Sequence, residues 1–139
     1  MPPKTPERYH HGDLRPALMR EAHAMVREVG LDGLSLRQLA LRVGVSASAL
    51  YHHFDNKNAL LCALAEEGFT NLDHVVREAV GDSSGSLRDR TLRFVRAYVG
   101  YAAAHPEIYD LMFGRSVWKA GEPTESLRSL AFSTFRRYL

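Results

Sequence analysis

The sequence predicts an all-α protein: an N-terminal three-helix domain containing a helix-turn-helix, joined by a long helix to a helical C-terminal domain. Three observations predict it. Apolar residues recur at helical spacing along nearly the whole chain, strand-like alternation is missing, and glycine, serine, proline and aspartate punctuate the pattern at short intervals. With 139 residues, 45% of them hydrophobic, the chain can bury a core.

The first helix is expected from Asp13, a plausible N-cap, to Val29, with Pro16 tolerated in its first turn. Its inner stripe is Leu18, Ala22, Met25, Val26 and Val29, and Gly30 is its stop. Ser35 with Gln38 three residues on forms a capping box, so a second helix starts there, carries Leu36, Leu39, Ala40 and Val43 inward and ends at Gly44. Ser46 caps a third helix through Phe54. Asp55 or Asn56 caps a fourth that runs to Val80, with Leu60, Leu61, Leu64, Phe69, Leu72, Val75, Val76 and Val80 inside.

After the joint "GDSSGS", a fifth helix enters through Ser86 and Asp89 and turns Leu87, Leu92, Phe94, Val95, Tyr98, Val99 and Ala102 inward. "HPEIYDLMF" is a short sixth helix with Pro106 at its first position. "GRSVWKAGEPT" reads as a loop, and Thr124 caps a seventh helix, "ESLRSLAFSTFRRYL". The domains are expected at 1–56 and 57–139.

Charge is nearly balanced, with 18 Lys and Arg against 16 Asp and Glu. Through Leu60 the count is eight basic to six acidic, and beyond it ten to ten, so any polyanion must be held by a local patch. The single cysteine, Cys62, forbids an intramolecular disulfide and a cysteine-cluster metal site, which fits a reducing compartment. No apolar run approaches the ~18 residues of a spanning helix, and the opening residues lack a signal-peptide stretch. The expected location is the cytoplasm, with no membrane partner.

Residues 35–54 therefore read as helix, four-residue turn, helix. A helix pair crossing steeply needs a small residue where the backbones meet, a turn residue that tolerates positive φ, and apolar anchors behind the second helix. Ala40, Gly44, and Val45 with Leu50 supply these. A recognition helix enters the major groove N-terminus first, so its leading residues must be small or polar. Ser46, Ala47, Ser48 and Ala49 meet that demand: Ser48 can hydrogen-bond a base, and Ala47 or Ala49 can press on a thymine methyl. Arg37, near the start of the second helix, is the strongest base reader because a guanidinium can bond both acceptors of guanine.

Tyr51, His52 and His53 succeed one another at about 100° around the helix, an arrangement that suits two flanking backbones better than one ion. Lys57 adds a cation at the start of the fourth helix, and Ser35 and Gln38 stand where the second helix's N-terminus can meet phosphate. The stretch "GLSLRQLALRVGVSASALYHHFDNKNALLCALA" resembles the N-terminal domain of the tetracycline-repressor (TetR) family of bacterial transcriptional regulators. The resemblance implies a base-reading role for Arg37, phosphate contacts for Tyr51 and His53, and, for the chain, repression at a double-stranded DNA operator by a homodimer. It also implies a small-molecule effector in the second domain, with the fourth helix as the lever between effector and reader. The N-terminal arm with Lys4 and Arg8 is expected along the duplex.

Phe69, Phe94, Tyr98, Tyr101, Tyr109, Met112, Phe113 and Trp118 are candidates to line an apolar or aromatic effector's cavity, or equally to fill a helical core. Family members usually continue for two more helices, so the C-terminal domain is expected to be truncated relative to them, through a shortened polypeptide or a different assembly. No His-x-x-x-His or His-Glu-x-x-His pair, nucleophile elbow or glycine-rich phosphate loop occurs, so neither an enzyme nor a metal or other cofactor is expected.

Overall fold

The computed structural model describes residues 13–81, 84–118 and 122–137, the side chain of Arg115 excepted. The arm with Lys4 and Arg8 lies outside the described residues. Among those described, eight helices and no strands occur: α1 Leu14–Gly33, α2 Leu36–Val43, α3 Ala47–His53, α4 Lys57–Val80, α5 Leu87–Ala104, α6 Pro106–Phe113, α7 Arg115–Trp118 and α8 Glu125–Arg136. The chain divides into two compact units, Met1–Leu60 and Leu61–Leu139.

In the first unit, α1 buries Leu14, Ala17, Leu18, Met19, Ala22, Met25 and Val26. Asp13 precedes it without a side-chain cap bond. Gly30 takes φ 75°, as a stop should, but a further helical turn follows the kink, so α1 reaches Gly33. Val29 departs from the expected stripe and is 53% exposed. It lies against Gly33, which has no side chain to cover it, while Leu34 beyond the kink takes the buried place.

Local chemistry sets the next three elements. The Gln38 N–H donates to Ser35 Oγ at 3.3 Å and the Ala49 N–H to Ser46 Oγ at 3.1 Å, each satisfying an orphan donor of a helix start. Between them Gly44 adopts the left-handed conformation (φ 78°, ψ 35°), and the amides of Gly44 and Val45 both return to the Ala40 carbonyl. Asn56, rather than Asp55, caps α4: its Oδ1 accepts from the Ala59 N–H at 2.9 Å. Leu39, Ala40, Leu50, Phe54 and Leu60 are buried with the α1 stripe.

The second unit has its core on Leu64, Phe69, Leu72, Val76, Leu111, Met112, Val117 and Leu127. Val75 departs from the expected inner face of α4 and is exposed. The fifth helix also differs from expectation: Leu87, Leu92, Val95 and Val99 face outward, and Tyr101 is its buried residue, with Phe94 and Tyr98 half-buried. The rings dominate because each removes more apolar area from water than a valine and because the two tyrosine hydroxyls find partners. Tyr101 donates to the Gly68 carbonyl at 3.2 Å, and Tyr98 and Tyr109 share a hydrogen bond of 3.0 Å. Part of the predicted loop after Gly114 is the single turn α7, closed by the Trp118 indole N–H donating to the Met112 carbonyl at 2.6 Å.

Candidate nucleic-acid interface

The candidate reader is built on α2 and α3. Successive helix residues stand about 100° apart, so Ala47, Ser48, Tyr51 and His52 fall within one arc of about 140° while Leu50 points away from it. The burial pattern agrees: those four are exposed, and Leu50 and Phe54 are buried anchors. Ala49 is half-buried at the edge of the arc and His53 half-buried on the side of α3 away from Ser48. The small pair Ala47 and Ser48 thus leads, with Tyr51 and His52 one turn behind on the same face.

Arg37 and Gln38 are exposed in the first turns of α2, and Ser35 is the half-buried cap before them. The Ser35 hydroxyl oxygen already accepts from Gln38, which leaves its proton for an outside acceptor. Lys57 is half-buried; its ammonium donates to the Asp32 carbonyl at 3.4 Å, tying the start of α4 to the end of α1 and leaving two of its three donors.

A further arginine, Arg42 at the end of α2, has its fork taken by carboxylates. Its Nη1 and Nη2 donate to the two oxygens of Glu28 at 2.7 and 3.0 Å, and its Nε lies 2.6 Å from Glu21 Oε1. The bond from Arg42 holds the Glu28 carboxyl below its ordinary pKa, and Glu28 raises that of Arg42. Sequence reasoning missed this clasp, because its partners lie 14 and 21 residues away. It fastens α2 to α1 and removes Arg42 from the cations that phosphate could claim.

The second unit distributes the candidate effector residues. Phe69, Met112, Phe113 and Trp118 meet Phe132 and Phe135 around an apolar cavity of about 360 Å³. Phe94 lies instead in an open cleft of about 900 Å³ with Arg77, Arg90 and Arg137. Tyr98 and Tyr109 are bound to each other, and Tyr101 is buried on Gly68. Burial, then the bond to Tyr109, pushes the Tyr98 phenol up to about 12. Among the described residues no group of three or more His, Cys, Asp or Glu is placed to hold a metal ion, and no helix is long and apolar enough to cross a membrane.

The family described as bacterial regulatory proteins, tetR family, matches residues 18–64. Tetracycline repressor protein class C of Escherichia coli is 42% identical over 88 residues, a match that covers 63% of this chain and 40% of that protein. A solved structure of a protein of unknown function from Rhodococcus sp. RHA1 superposes with a TM-score of 0.80 at 37% identity, covering 94% of this chain and 66% of that one. A solved structure described as a possible TetR family transcriptional regulator from Streptomyces coelicolor gives a TM-score of 0.60 at 29% identity over 88% of this chain and 58% of that one. The matched part thus spans less than half of the curated repressor and about two thirds or less of these solved chains. The capped helices and the left-handed glycine corner between them thus lie within residues 18–64, the part of the chain that matches the tetR family.

Proposed function

We propose that the protein is a DNA-binding transcriptional regulator, acting as a repressor, and that a small apolar or aromatic molecule held in the second unit alters its grip on a double-stranded operator. The observation that carries the reading is the exposed arc of α3, in which Ala47 and Ser48 lead Tyr51 and His52 while Leu50 and Phe54 are fixed behind. A tip without bulk can approach base edges, and rings one turn back reach the sugar-phosphate strands. Arg37 contributes the bidentate base contact; Ser35, Gln38, Tyr51, His52, His53 and Lys57 contribute phosphate contacts.

The 360 Å³ cavity around Phe69, Met112 and Trp118 is large enough for a small ring compound. The reading includes a homodimer working in the cytoplasm, with half-sites about 34 Å apart on one face of the duplex. Selection of bound duplexes from a random pool tests it. A palindromic consensus supports paired readers, a single half-site supports the reader and refutes the pairing, and no enrichment overturns the proposal.

A further inference from the structure

The first turn of α1 carries a cation that none of the preceding roles uses. Arg15 is exposed, and its guanidinium carbon lies 4.7 Å from the centre of the Phe54 ring. Phe54 is the C-cap of α3, directly behind His53 and three residues from Tyr51, and it is 2% exposed, so the ring beneath the guanidinium is a fixed platform. We propose that Arg15 is a DNA-phosphate contact, held at the C-terminal end of the reader helix by stacking on Phe54. This inference rests on the DNA-binding reading above and adds a residue to its surface.

Three observations favour phosphate. A guanidinium whose carbon lies 4.7 Å from a ring centre is within cation–π range, and it can face the ring while its N–H donors stay at the edge in the fork that matches an oxyanion. Among the described residues no carboxylate competes for that fork: no ion pair includes Arg15, and Asp13 and Glu21, the nearest described acids along the chain, make none with it. Arg42 and Lys57 differ, since one is clasped by Glu21 and Glu28 and the other is bonded to the Asp32 carbonyl. Finally, Arg15 sits at the C-terminal end of α3, opposite the tip that would enter the groove, so it would meet the strand rather than a base edge.

Stacking also orders the side chain before DNA arrives, which lowers the conformational entropy lost on contact. Sequence reasoning had no means to single out Arg15, because its platform lies 39 residues away.

The test is the salt dependence of binding to a mixed-sequence duplex, measured on the full chain for the wild type, Arg15→Gln and Arg15→Lys, with helical content and thermal midpoint followed alongside. Loss of one phosphate contact should lower the slope of log K against log salt by about 0.9 for Arg15→Gln, with affinity falling severalfold at every sequence. Arg15→Lys should keep the slope and still bind less tightly, because an ammonium cannot present a planar fork over the ring. If Arg15→Gln folds poorly, the lysine variant decides: weaker binding at an unchanged slope supports the contact, and unchanged binding overturns it. An unaltered slope and affinity in a folded Arg15→Gln also overturn it, as does a lowered thermal midpoint with binding intact. A wild type that binds no duplex refutes instead the DNA-binding reading on which the inference stands.

Discussion

A Cβ built on Gly68 of α4 would stand 2.6 Å from the sulfur of Met112 on α6 and 2.8 Å from Ile108 Cγ2. The two helices approach within the second unit only because this position has no side chain. Met112 is fully buried, and Ile108 crowds the same spot. Gly68→Ala gains up to about 1 kcal/mol of helix propensity but is expected to lose about 1–3 kcal/mol to overpacking, for a net destabilisation. Chemical denaturation measures it. In a Met112→Ala background the same substitution should cost less, and equal costs in both backgrounds would show that the crossing is not set by this pair.

The reader's cap is a separate matter. Ser46→Ala removes the acceptor of the Ala49 N–H and is expected to cost about 1 kcal/mol, concentrated in α3. Hydrogen exchange at the α3 amides should accelerate more than exchange in α1.

Arg37 and Lys57 should differ in kind. Arg37→Ala is expected to cost about 1–3 kcal/mol at the preferred sequence and to relax choice at one base position. Lys57→Ala should weaken every sequence similarly and lower the salt slope by about one unit. Titrations of selected and scrambled duplexes across salt concentrations separate the two patterns. If Lys57 serves only to bond the Asp32 carbonyl, stability will fall while the slope stays.

Alkaline pH should reveal the tyrosine pair. The Tyr98 phenol ionises near 10.0 when unfolded and near 12 in the folded chain, so the native state holds its proton more tightly. Its contribution is therefore complete below pH 10.0 and disappears as pH rises towards 12. Denaturation midpoints taken at increasing pH should decline across that window. In Tyr98→Phe the decline should be shallower.

At the acid end, Glu28 behaves in the opposite sense. Arg42 holds its carboxyl below the ordinary value of 4.5, so its contribution is present above that value and is lost as pH falls through the lower, folded one. Glu28→Gln should flatten the acid limb of the stability curve. The carboxylate is exposed, so added salt should flatten it too.

Much of the first unit was legible because its signals are local. Serines before helices, a glycine after one, and the spacing between them are written within a few residues of the structures they cause, as Ser35, Gly44 and Ser46 show. The small-residue tip of α3 was legible for the same reason. The clasp of Arg42 and the platform under Arg15 were not, since each joins residues brought together only by the α1–α2–α3 packing.

In α5 the difficulty is different. Leu92, Val95 and Val99 form one helical stripe and Phe94, Tyr98 and Tyr101 another, roughly a third of a turn away, and periodicity alone does not choose between them. Hydroxyl partners on Gly68 and Tyr109 make the choice. Val29 failed for a related reason: its spacing is right, but its neighbour Gly33 has nothing with which to cover it.

The corner between α2 and α3 limits how this protein can drift. Space around Gly44 is open, with no atom within 4 Å of an added Cβ, so bulk is no obstacle there; handedness is. Most replacements would be charged about 1–2 kcal/mol for a mirror-image backbone, and asparagine, which visits that region with least reluctance, should be the mildest. Glycine and, after it, asparagine are thus the residues this corner favours, although a side chain added there would meet no obstacle.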